Sequence, residues 1–220
     1  MSSATDKRAL RGQETRARIV HAARAVLLER GYRATSTRAV AERAGVQLSL
    51  VHYHFGGKAA LLAAVLEREN EELLERQRRL YDAPGPLAEK WRAACEFLDE
   101  DVRSGYVRVL WELWAAGLSD ENLAARWRAA IGGWRELLES VFAAWAAEHD
   151  IDLGLSPRAL ATLVANLFEG IEIELLAGVG EDEASHREVL DTLGDLIERL
   201  EAGGQAGGML WAKRKTSSGS

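Results

Sequence analysis

Cysteine is nearly absent from this chain of 220 residues. Cys95 stands alone, so no internal disulfide can form, and a protein held together by packing suits the reducing cytoplasm. Proline is almost as scarce: Pro84, Pro86 and Pro157 all fall in breaks between apolar-periodic segments. Runs that alternate strictly between apolar and polar residues are missing, which excludes strands at the level of pattern. No stretch reaches the ~18 uninterrupted apolar residues of a membrane span, and the polar N-terminal residues contain no signal-peptide core.

What is present is 47% apolar residues, arranged in long segments of 3.6-residue period. That pattern predicts an all-α protein with a small head and one sizeable further core. The formal net charge of −6 conceals a strong asymmetry. Residues 1–60 carry 11 Lys and Arg against 4 Asp and Glu, whereas the rest carry 17 against 30. Attraction to phosphate acts over about one Debye length, roughly 10 Å, so a basic head on an acidic body remains suited to nucleic acid.

The stretch from Thr35 to Lys58 reads TSTRAVAERAGVQLSLVHYHFGGK. Val40, Ala41 and Ala44 recur on one helix face, with Ser36 or Thr37 as the N-cap. Gly45 supplies a turn, and Val46, Val51 and Phe55 anchor a second short helix. Its outer face would carry Gln47, Leu48, Ser49, His52 and Tyr53. Gln47 can pair with adenine, Ser49 with several bases, and Leu48 or Leu50 can meet a thymine methyl. Thr37, Arg38, His52, Tyr53 and His54 are candidates for phosphate contacts that fix register, although Tyr53 or one histidine could instead close the core of the head. After Gly56-Gly57, Lys58 stands beside the unpaired amides of a fourth helix, where it either meets a phosphate or is a solvated surface lysine.

In AERAGV, in HYHF and in GGKAALL, this string resembles the N-terminal DNA-binding unit of the TetR family of transcriptional repressors. The resemblance covers about residues 12–66, with His52 where the family more often has Tyr, and Gln47 where a small capping residue is common. It implies a helix-turn-helix DNA-binding domain over 12–66 and a helical ligand-sensing and dimerisation domain over 67–202. It further implies a homodimer on double-stranded operator DNA, released by a small organic ligand. One such head alone buries too little surface to select an operator, which argues for the dimer independently. An activator, a ligand-independent DNA-binding protein, and a helical enzyme or carrier are the alternatives.

Elsewhere, residues 1–11 hold Lys7, Arg8 and Arg11 without an apolar stripe and read as a flexible basic arm, either following DNA or solvated. A first helix is expected from about Gln13 to Arg30, ended by Gly31. The body should form helices over about 87–103, before Gly117, to about Ala147, from Ser156-Pro157 to Gly178, and over 183–200. The last two are the expected dimer interface. Residues 203–220, with Trp211, Lys213, Arg214 and Lys215, read as a disordered tail.

Six of the seven tryptophans lie between residues 91 and 145. Trp91, Trp111, Trp114, Trp127, Trp134 and Phe168, with Glu169 as an interior charge, are candidate pocket residues for an apolar or aromatic ligand, a cation included; core packing is the competing reading for each ring. No catalytic constellation is visible. His52 and His54 point to different faces of a helix, HExxH is absent, and Cys95 has no evident base, so neither a cofactor nor a metal is expected.

Overall fold

The computed structural model describes residues 2–203, with side chains from residue 7 onward. Among the described residues the fold is all-α, as expected, with helices α1 (Ser2–Ala34), α2 (Thr37–Ala44), α3 (Leu48–Phe55), α4 (Lys58–Asp82), α5 (Leu87–Ser104), α6 (Tyr106–Gly117), α7 (Glu121–His149), α8 (Pro157–Ala177) and α9 (His186–Gly203). None of these is long and apolar enough to cross a membrane.

The N-terminus departs from expectation. Residues 1–11 were expected to form a flexible arm, yet α1 is helical from Ser2. Alanine, leucine, lysine and arginine are strong helix formers, and a helix can extend into solvent without an apolar stripe; Lys7, Arg8, Leu10 and Arg11 are all exposed. The helix breaks at Gly31, whose φ of 74° and ψ of 169° are non-helical. The tail expected over 203–220 lies outside the described residues, apart from Gly203, which closes α9.

Packing divides the chain into two units. One runs from the N-terminus to Glu75 and takes in Asp101–Gly133; the other comprises Arg76–Glu100 and the chain from Trp134 on. A division near residue 66 is therefore not where the packing separates. The cause is apolar: Val107, Leu110, Leu113, Leu123 and Ile131 are buried in the same core as Leu27, Val40, Val51 and Leu61–Leu66. Helix α1 packs against both α2 and α6, and α2 against α3. At Gly105, with φ of 83°, an added Cβ would lie 2.9 Å from Leu28 Cδ2, which explains the glycine between α5 and α6.

In the second unit α9 lies against α5. Trp91 Nε1 donates to Leu190 O at 2.8 Å, and a Cβ on Gly194 would come within 3.1 Å of the Trp91 ring. Arg187 pairs with Asp99 at 2.6 Å, and Arg92 with Asp195 at 3.2 Å and with Glu198. Between them, burial pushes the Cys95 thiol up to about 12, so it remains protonated at neutral pH.

Candidate nucleic-acid interface

The candidate interface is built on two short helices, α2 and α3, packed against each other and joined by a tight turn. Ser36 caps α2, its Oγ accepting from Ala39 N at 3.2 Å. At the other end Gly45 sits in the left-handed region, φ 61° and ψ 40°. Val46 N then donates to Ala41 O at 3.0 Å and Gly45 N to Glu42 O at 3.2 Å, which is the paired Schellman closure of a helix C-terminus.

Helix α3 follows, anchored by buried Val51 and Phe55. Gln47 occupies its N-cap position without a side-chain capping bond and is exposed, so its amide is available to an external partner. Ser49, Leu50 and His52 are exposed on the same helix, and Tyr53 is 82% exposed, which places its ring outside the core of the head. Leu48, expected on the outer face, is instead half-buried against that core. The two positions from Leu48 to Leu50 turn a side chain by about 200°, enough to carry Leu48 inward and leave Leu50 as the apolar group outside. His54 is half-buried, its ring 5.1 Å from Tyr53 and 6.2 Å from Phe55. His52 Nδ1 lies 3.2 Å from Gly56 O, and since a carbonyl only accepts, that nitrogen carries the proton.

Thr37 is half-buried at the start of α2, and Arg38 is exposed, without a partner among the described residues. Arg16, on α1, holds its guanidinium 5.2 Å from the centre of the Phe55 ring, beside α3. No sequence signal marks that position, because only the packing of α1 brings it to the end of α3.

Lys58 behaves differently from its phosphate or solvated readings. Nζ donates to Tyr32 O at 2.5 Å, reaches Arg33 O at 3.5 Å and stands 4.1 Å from the centre of the Tyr32 ring. An ammonium among the last carbonyls of α1 is favoured by the helix dipole and ties the start of α4 to the end of α1. Desolvation there lowers the Lys58 pKa.

The same corner carries a residue that sequence reasoning passed over. Glu112 of α6 accepts from Tyr32 N at 2.5 Å and from Arg108 Nε at 3.0 Å. The break at Gly31 frees the Tyr32 amide from its helix, and the Glu112 carboxylate receives it. The available signal was a lone acid within the apolar run YVRVLWELW.

The aromatic residues, some of which were expected to line a pocket, are found in both units. Trp111, Trp114 and Trp127 cluster in the first, with ring centroids 5.5, 6.1 and 6.4 Å apart. Trp114 is 38% exposed, and Trp127 Nε1 is buried without an acceptor. In the second unit Phe168 makes edge contacts with Trp91 at 5.7 Å and Trp134 at 5.9 Å. Glu169 pairs there with Arg135 at 2.9 Å; burial pushes its carboxyl up, and Arg135 pulls it down.

Residues 19–65 match the model of the bacterial regulatory proteins of the tetR family. The chain is 33% identical over 103 residues to the transcriptional activator FasR of Mycolicibacterium smegmatis, covering 45% of this chain and 46% of that protein. It is 32% identical over 103 residues to the transcriptional regulator TtgR of Pseudomonas putida, covering 46% and 49%. It thus spans about half the length of the curated relatives it matches. In fold it is similar to a transcriptional regulator of Pseudomonas aeruginosa PAO1, with a TM-score of 0.69 at 24% identity over 88% of this chain and 93% of that one. A regulator of Saccharomonospora viridis in complex with choline gives a TM-score of 0.68 at 20% identity over 84% and 96%. The head, residues 19–65, therefore matches the bacterial regulatory proteins of the tetR family, and the relatives similar to about half of the chain are named transcriptional regulators.

Proposed function

We propose that this protein is a cytoplasmic, ligand-responsive repressor that binds a pseudo-palindromic operator as a homodimer. The observation that carries the reading is the outer face of α3, where Gln47, Ser49, Leu50, His52 and Tyr53 are exposed above buried Val51 and Phe55. Such a face offers donors, acceptors and one apolar group to base edges in a major groove. Thr37 and Arg38 then set register on phosphates. Lys58 contributes by fixing α1 to α4 rather than by touching DNA.

The dimer rests on the exposed apolar groups of the last two helices: Leu163, Ile173 and Leu176 on α8, Val189 and Leu196 on α9. The effector reading rests on Trp111, Trp114 and Trp127, where a buried indole N–H lacks an acceptor and an aromatic wall reaches solvent. Glu112 lies between two of those tryptophans on α6 and holds the Tyr32 amide, so a ligand that shifts α6 disturbs the corner from which α1 and α4 position the head. Activation instead of repression is the second reading, favoured by the name of the FasR relative.

Selection from random duplexes followed by footprinting tests the proposal. Two inverted half-sites centred about one helical turn apart, roughly 34–36 Å, are expected. A single asymmetric half-site overturns it. Transcription in vitro on the selected site separates repression from activation.

A further inference from the structure

Within the second unit, the end of α4, the start of α5, the last turns of α7 and the end of α9 surround a cleft of about 600 Å³. None of the tryptophan-cluster residues lines it. Its volume falls in the range, about 300–1,000 Å³, that holds small organic ligands. Leu137 and Val141 of α7 give it an apolar wall.

The polar lining decides what would fit. Glu201 is occupied: Oε1 accepts from Leu87 N at 2.6 Å and Trp145 Nε1 at 3.2 Å, and Oε2 from Ala88 N at 3.3 Å, capping α5. Lys90, the cation of the lining, donates to Tyr81 O at 2.9 Å. His149 Nδ1 lies 3.1 Å from Trp145 O. Asp82 and Glu148 are exposed and, among the described residues, have no partner. The cleft therefore carries the carboxylates of Glu201, Asp82 and Glu148, the last two unpaired among the described residues, against the one ammonium of Lys90, beside an apolar wall.

We propose that this cleft binds an organic dication, a diamine or diamidine with an apolar spacer, its two charged ends meeting Asp82 and Glu148 and its spacer covering Leu137 and Val141. The site is separate from the tryptophan clusters, and the proposal does not depend on DNA binding.

Isothermal titration calorimetry of the full chain at low salt, without DNA, tests it with diaminooctane as the probe and octylamine and octanediol as comparisons. Diaminooctane should bind one molecule per chain, and octanediol should not. The exposed double variant Asp82→Asn, Glu148→Gln should weaken diaminooctane at least about tenfold, a difference of about 1.4 kcal/mol. Val141→Trp, which fills the cleft, should abolish binding. Equal binding of octanediol overturns the charge assignment. Unchanged binding to Val141→Trp overturns the cleft and leaves only attraction to an acidic surface, and no binding of diaminooctane overturns the whole inference.

Discussion

Glu112 shows how much one side chain can decide. Its carboxylate receives a backbone amide that the Gly31 break leaves without a helical partner. Replacing Glu112 by Ala orphans the Tyr32 amide in a half-buried corner, and an unmade bond of this kind costs about 1–3 kcal/mol. Urea unfolding of Glu112→Ala should show that loss, and the variant should also bind its operator more weakly, because the head loses a support. A variant as stable as the parent would mean that water serves the amide equally well. Arg16 and Lys58 make the same point from the other side. Both are cations near the head, yet one stands over the Phe55 ring and the other is bound among carbonyls, so charge alone does not identify a phosphate contact.

For the short helices, capping matters more than propensity. Helices of eight residues are marginal on their own, and α2 persists because Ser36 closes one end, Gly45 the other, and Val40 is fully buried beneath. Gly45 is required by its φ of 61° and not by crowding, since a Cβ there would meet nothing within 4 Å. Gly45→Ala should therefore cost about 1–2 kcal/mol from backbone conformation alone. Gly45→Asn should cost less, because asparagine tolerates the left-handed region. Thermal unfolding of the pair is the check. Equal losses would place the cost in something other than the backbone.

At the scale of the whole molecule the question is what covers the exposed apolar groups of α8 and α9. Val189 and Leu196 are exposed in a helix whose opposite side is fixed to α5 by Trp91, Arg92 and Arg187. If they form the dimer seam, Val189→Glu with Leu196→Glu should sediment as a folded monomer. Operator affinity should then fall by at least about a hundredfold, the scale of avidity lost when two linked heads become independent. A variant that remains dimeric would place the interface elsewhere on the chain.

The sequence by itself determined the helical class, the cap and turn of the helix-turn-helix and the basic head, because apolar period, Ser36, Gly45 and charge are all local properties. It also located most helix ends to within a few residues, through glycine, proline and capping side chains. It could not show that Leu48 turns inward, that Lys58 binds carbonyls, or that the tryptophans form two clusters instead of one. Each of those depends on which distant residue arrives opposite: α1 against α4, Glu112 against Tyr32, Phe168 against Trp91 and Trp134. Only the tertiary structure decided them, since helical spacing fixes the face a residue occupies but not the partner which that face will meet.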